Sequence, residues 1–285
     1  MPDILAYGKM LNGTEPNPKD YDALVEIGQA IKGQMVEHGL KVMMLQPFAN
    51  FEGWPRGSKE RDDAFDRARG WMRVMEAVGT DLLQVGSSDS PQIADASFDD
   101  MAADLAELAD MLAPKGFRIA YENWCWATRA PSWKDVWDIV QKADRPNLGL
   151  CRDRGEGGEK RPMYRAQVEQ RWNESLAELV VTVPASKIYL LQISDAYKMD
   201  PPLADEVDPE SGLRPRGQWS HDYRPLPYDG GYLPVREFLN AVLDTGFRGY
   251  LSMEVFDPKG QEKRYADMGA YAKKAMDGLE KLLVA

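Results

Sequence analysis

SFDDMAADLAELADMLAPKGFRIAYENW, residues 97–124, reads as one complete helix–strand unit. Ser97 opens it with Asp100 three residues on, the spacing at which each side chain satisfies the other's backbone N–H at a helix start. Lys115-Gly116 closes the helix, and the apolar run Arg118–Glu122 follows as a strand. That strand delivers a carboxylate, Glu122, at its C-terminal end, with Trp124 just beyond.

The alternation continues in both directions. Before the unit come a helix over Pro18–His38 with Leu24, Ile27, Ile31 and Met35 on one face, an apolar run Lys41–Gln46, a helix Ser58–Val78 stopped by Gly79, and a strand Leu82–Val85. Asp3–Tyr7 is a weaker strand candidate. After it come a helix opened by Ser132 with Asp135, strand Leu148–Cys151, a long helix to Val181, strand Ile188–Ile193, helix Pro234–Thr245, strand Tyr250–Val255 and a final helix from about Lys263. Parallel strands need crossover connections that carry helices, so this alternation implies a parallel sheet. No Gly-rich phosphate loop follows any strand, which removes the signature of an open nucleotide-binding sheet.

The expected fold is therefore α/β, a single-domain (β/α)8 TIM-type barrel over residues 1–285 that lacks or replaces its first β/α unit, because the strands counted fall short of eight. A barrel without its first strand leaves two unpaired edges, and such edges are usually covered, which implies homo-oligomers formed through the N-terminal side. Pro201–Tyr228 is too long for a plain connection and reads as a functional loop or lid.

A net charge of −11 disfavours nucleic acid and anionic membrane surfaces as partners, since both need clustered positive charge. No transmembrane-length apolar run and no leader pattern at Met1 is present, and Cys125 and Cys151 alone make no disulfide framework, so the cytoplasm is the expected compartment.

Four strand ends carry an oxygen ligand type: Glu122, Asp153, Gln192 and Glu254. A strand-end carboxylate is ordinarily a solvated residue or a helix cap. Three carboxylates and an amide at matching points of successive units suit a hard divalent cation, Mg2+ or Mn2+ or Co2+. With His38 and His221 the only histidines, the composition disfavours a His-based zinc hydrolase. His38 closes a helix. His221 lies in the long loop and balances between a surface role and proton transfer. Arg214, Arg216 and Arg224 in that loop offer a clamp for an anionic substrate, against the alternative of a solvated loop. Trp124 and Trp126 either pack against neighbouring loops or line a pocket for a flat ring. In LQPFANFEGW, residues 45–54, Phe48, Phe51 and Trp54 offer walls for a site into which Gln46 and Glu52 point.

The segments LQPFANFEGWPRGS, DLLQVGSSDSP, IAYENWCWATRAPSWKDVWDIVQKADRPNLGLC and GGYLPVREFL with DTGFRGYLSMEVF together resemble the 3-dehydroshikimate dehydratases of the xylose-isomerase-like barrel superfamily. The resemblance runs from about Gly39 to Phe256 and implies a divalent ion held by Glu122, Asp153, Gln192 and Glu254. It also implies a lyase that dehydrates a small cyclic hydroxy-ketone acid, 3-dehydroshikimate to protocatechuate, with Glu122 or Glu254 as base and His221 or Glu156 as candidate acids. Arg224, Trp124 and Gln46 would contact the substrate, a carboxylate. The chain departs from the family at Arg154, Gly155 and Glu156, just past Asp153, and at His221-Asp222, where the family has Arg-Asn. Two alternatives stand beside this reading: a metal-dependent isomerase or epimerase of a small sugar or polyol ketone, and a catalytically impaired ligand-binding barrel.

Overall fold

In the computed structural model, residues 2–152, 165–209, 212–257 and 266–284 are described. The chain divides into two units, residues 1–150 and 151–285.

The first unit begins with a helix, α1 (Pro2–Asn12). This corrects the strand expected over Asp3–Tyr7. Among its described side-chain positions Ile4 and Gly8, one helical turn apart, are buried, a period of four rather than two. Helix α2 (Tyr21–Glu37) follows, with Asp20 accepting from the Ala23 amide as its cap. His38 ends it, its ring Nδ1 lying 2.9 Å from the carbonyl of Gln34. Strand β1 (Leu45–Phe48) leads to α3 (Lys59–Val78), which Ser58 caps and Gly79 stops in a left-handed conformation at φ 79°. Strand β2 (Leu82–Gly86), α4 (Phe98–Leu112), β3 (Arg118–Glu122), α5 (Trp133–Ala143) and β4 (Leu148–Arg152) complete the series. Residues Cys151 and Arg152 of β4 already belong to the second unit. Both expected capping boxes form, Ser97 with Asp100 and Ser132 with Asp135.

Strands β1 to β4 pair in parallel, each with the next, and Gly86 at the end of β2 stands opposite Glu122 at the end of β3. Behind them lies an aromatic core. Phe48 sits 4.8 Å from Trp71 and 5.6 Å from Phe51, which is 5.0 Å from Phe65, ring centre to ring centre. Phe48 and Phe51 are wholly buried. They are core, not the walls of an open site, and each contributes roughly 1.5–3 kcal/mol through burial.

The second unit holds α6 (Arg165–Thr182), β5 (Ile188–Ile193), α7 (Pro215–Asp222), α8 (Val235–Asp244), β6 (Tyr250–Met253) and α9 (Met268–Leu283). Lys263, where the last helix was expected to start, lies outside the described residues. Strands β5 and β6 pair in parallel, with Gln192 opposite Ser252 and Ile193 opposite Met253. Phe238, Leu239 and Val242 of α8 are buried, and the Phe238 ring lies 6.3 Å from that of Trp172 on α6. The long segment Pro201–Tyr228 is not a plain loop. It holds α7, and beyond α7 Arg224 forms an antiparallel bridge with Phe256. Among the described residues no helix is long and apolar enough to cross a membrane.

Candidate active site

In the first unit the site builds around Glu122. Alternate residues of a strand share a face, so Gln84 and Gly86 of β2 lie beside Ala120 and Glu122 of β3. Gln84 donates its amide Nε2 to Glu122 Oε2, and both side chains are buried. Gln84 was not among the expected site residues. Its one sequence signal is an amide in the otherwise apolar strand Leu82–Gly86.

Trp124 stacks on Trp126 with ring centres 5.1 Å apart and planes at 19°. The Trp124 indole crosses the backbone at Gly86, where any Cβ would stand 2.1 Å from Cε2. Only glycine permits that approach. The Trp124 amide donates to Ser87 Oγ at 2.9 Å, and the Ser87 amide donates to the carbonyl of Glu122 at 2.9 Å. Trp126 Nε1 donates to Asp89 Oδ2 at 3.0 Å. Gln46 is half-buried on β1. Glu52 is fully buried, and its Oε1 accepts from the Ser88 amide at 2.8 Å and from the Tyr121 hydroxyl at 2.9 Å. Burial pushes the Glu52 carboxyl up to about 7, against the opposing pull of these hydrogen bonds. Burial also pushes the Tyr121 hydroxyl well above its usual value, and the neighbouring Glu52 adds to the effect.

In the second unit the site builds around Glu254, just past β6. Gln192 of β5 donates Nε2 to Glu254 Oε1 at 2.9 Å. Arg224 donates Nη2 to Glu254 Oε2 at 2.9 Å. The same guanidinium donates from Nε to Ser194 Oγ at 2.8 Å and from Nη1 to Ser220 Oγ at 3.3 Å. Paired backbone bonds with Phe256, 2.8 and 3.0 Å, pin Arg224 to the segment that carries Glu254. Cys151 Sγ donates to Gln192 Oε1 at 2.7 Å.

His221 is exposed near the end of α7, its ring 5.9 Å from Phe256. Arg224 is buried and its guanidinium lies 5.4 Å from the same Phe256 ring. Arg214 is exposed and Arg216 half-buried. Asp153 lies outside the described residues, as do Arg154, Gly155 and Glu156.

The donors fit a hard cation. All are carboxylate or amide oxygens, and Gln192 and Glu254 already converge. A half-turn of the Gln192 amide places its oxygen where Nε2 now stands, 2.9 Å from Glu254 Oε1. Neighbouring ligands of an octahedral ion at about 2.0–2.1 Å are roughly 2.9 Å apart. The Cys151 thiol, a weak donor and a weak acceptor, then meets the amide NH2 instead of its oxygen. Among the described residues no group of three or more His, Cys, Asp or Glu is gathered as for a metal. Of the expected ligands, Glu122 and Glu254 are the only members of those residue types within the described set.

Residues 7–282 match the family described as xylose isomerase-like TIM barrel. A 3-dehydroshikimate dehydratase of Neurospora crassa is 30% identical over 282 residues, covering 92% of this chain and 77% of that protein. A 3-dehydroshikimate dehydratase of Pseudomonas aeruginosa is 34% identical over 247 residues, covering 86% of this chain and 33% of that protein. The chain thus spans about a third of the length of that bacterial relative. Among solved structures, a xylose isomerase-like TIM barrel/4-hydroxyphenylpyruvate dioxygenase fusion protein overlays with a TM-score of 0.64 at 26% identity, over 80% of this chain and 32% of that one. The IOLI protein, crystallised with a binding zinc atom, overlays with a TM-score of 0.65 at 18% identity, over 90% of this chain and 80% of that one. That second likeness is one of fold. The TIM-type barrel expected from the strand–helix alternation is the fold of the family matched.

Proposed function

The chain belongs to the xylose isomerase-like TIM barrel family, and we propose that it is a divalent-metal-dependent lyase that dehydrates 3-dehydroshikimate to protocatechuate. The observation that carries this reading is the Neurospora dehydratase, similar across 92% of the chain. The oxygen donors at the ends of β3 and β5, Glu122 and Gln192, are buried, and Glu254 just past β6 is half-buried; together they support it.

Glu122, Asp153, Gln192 and Glu254 would hold the cation, which when bound supplies Lewis-acid polarisation of the substrate ketone. The remaining steps fall to the protein's own groups. A base takes the proton from the carbon α to the ketone, the hydroxyl on the β carbon leaves as water with a proton from an acid, and a ring CH2 proton then moves to the ketone oxygen to give the aromatic catechol. Glu254 is one candidate base: Arg224 fixes its Oε2, which orients Oε1. Glu122 is the other, with Gln84 fixing its Oε2. His221 stands as the acid that would protonate the departing hydroxyl. Trp124, close against Gly86 and half-buried, would contact the substrate ring, and Gln46 would contribute from β1. Arg224 supplies the positive charge that favours a substrate carboxylate, although its three nitrogens already serve Ser194, Ser220 and Glu254.

We read the chain as one domain, residues 1–285, supported by a family match that spans both units. The reading extends to a small carboxylate substrate, no nucleic-acid or membrane partner, a cytoplasmic location and self-association through the N-terminal side. The charge of −11 supports the exclusion of nucleic acid. Metal-loaded protein incubated with 3-dehydroshikimate develops the ultraviolet absorbance of protocatechuate. Unchanged substrate after prolonged incubation refutes the proposal.

A further inference from the structure

Glu52 sits just past β1 at 0% exposure. Carboxylates are almost never buried so fully unless paired, and the hydrogen-bond partners found for Glu52 are neutral. Its Oε1 takes the Ser88 amide and the Tyr121 hydroxyl, while Oε2 has no hydrogen-bond partner among the described residues. An apolar side chain of similar volume in this place would spare the desolvation cost. Local stability given up in this way is a mark of functional positions.

The bonds around Glu52 tie together the segments that follow three strands. Ser88 Oγ donates back to the carbonyl of Glu52 at 2.9 Å. Ser87, next in the chain, binds the carbonyl of Glu122 through its amide and the amide of Trp124 through its hydroxyl. Thr128 donates its amide to the carbonyl of Ser88 at 3.0 Å and its hydroxyl to the carbonyl of Asp89 at 2.8 Å. Tyr121 immediately precedes Glu122.

We propose that Glu52 is a positioning residue for the proposed reaction, holding the segments after β1, β2 and β3 in one arrangement through Ser88 and Tyr121 so that Glu122 and Trp124 keep a fixed geometry. The proposal rests on the dehydratase reading for its chemistry but not for its geometry. Burial already pushes the Glu52 carboxyl up to about 7, consistent with a group kept in place against its solvation.

The test compares wild type with Glu52→Gln, Glu52→Leu and Tyr121→Phe in the full chain. The stacked Trp124 and Trp126 indoles generate a far-ultraviolet exciton couplet, read in the absence of substrate against Trp126→Phe as blank. Glu52→Leu, which leaves the Ser88 amide and the Tyr121 hydroxyl without this acceptor, is expected to lose most of the couplet and to impair turnover, kcat falling by about tenfold or more and KM rising as Trp124 is displaced. Glu52→Gln restores most of both, because its amide oxygen accepts the same two bonds. Tyr121→Phe, which removes only the hydroxyl, weakens the couplet in the same direction and covers the case in which Glu52→Leu does not fold. A couplet unchanged in both Glu52→Leu and Tyr121→Phe overturns the proposal. If wild type turns nothing over, the dehydratase reading falls, and the couplet alone still decides the role of Glu52.

Discussion

Arg224 and Glu254 form a nearly enclosed ion pair, Nη2 to Oε2 at 2.9 Å, with the two side chains 7% and 16% exposed. The Coulomb energy of such a pair is offset by the desolvation of both charges, so its removal as a unit costs little. Breaking it is different. Arg224→Met leaves Glu254 Oε2, Ser194 and Ser220 without this donor and is expected to destabilise the protein by about 3 kcal/mol. The double variant Arg224→Met with Glu254→Gln recovers much of that loss. Denaturant unfolding of the full mutant cycle checks this, and additive effects would contradict it.

Glu52 makes stability depend on pH in a sense opposite to most carboxylates. Its carboxyl is raised from 4.5 to about 7 in the folded protein, so the folded state binds a proton more tightly than the unfolded one. The stability it contributes is full below pH about 4.5 and is lost as pH rises through about 7. Relative to Glu52→Gln, wild type should lose about 3 kcal/mol across that window. Tyr121, the titratable group bonded to Glu52, is raised well above its usual value and stays protonated throughout. Parallel pH profiles for the two proteins would rule out the assignment.

Gly86→Ala forces the Trp124 ring away, because the new Cβ would stand 2.1 Å from Cε2 and 2.2 Å from Cζ2 of a rigid indole. Overpacking of this kind costs about 1–3 kcal/mol. Under the proposed function, KM rises more than kcat falls, since Trp124 contacts substrate without joining in proton transfer. Steady-state kinetics and tryptophan emission measure both effects, and unaltered KM would remove Trp124 from the substrate site.

Ser97→Ala removes a capping box in which the Asp100 amide donates to Ser97 Oγ at 3.1 Å. The expected loss is about 1 kcal/mol. The hydrogen bonds from Ser97 hold the Asp100 carboxyl below its usual value, so the cap contributes above the ordinary carboxylate range and fades as pH falls. A thermal shift that vanishes in acid would agree.

Locally encoded features were legible in the sequence. Ser97 with Asp100, Ser132 with Asp135, and Gly79 set helix ends through contacts three or four residues apart, and each reads directly from the chain. Asp3–Tyr7 was misread because so short an apolar run fits a strand or a helix, and only its packing beside α2 decides. Helix α7 escaped notice because PRGQWSHD carries no apolar stripe. Phe48 and Phe51 were expected as site walls, but which face an aromatic takes depends on partners such as Trp71, distant in sequence. Gln84 was missed for the same reason. Its bond to Glu122 exists only through the register of β2 on β3.

The most direct test follows protocatechuate absorbance as metal is withdrawn and returned. Protein stripped with a chelator and supplied with 3-dehydroshikimate should be silent, and Mn2+ should restore turnover. Glu254→Gln, treated alike, should stay silent at any Mn2+ concentration that saturates wild type. Turnover by the stripped protein, or by Glu254→Gln at the wild-type rate, would contradict the account.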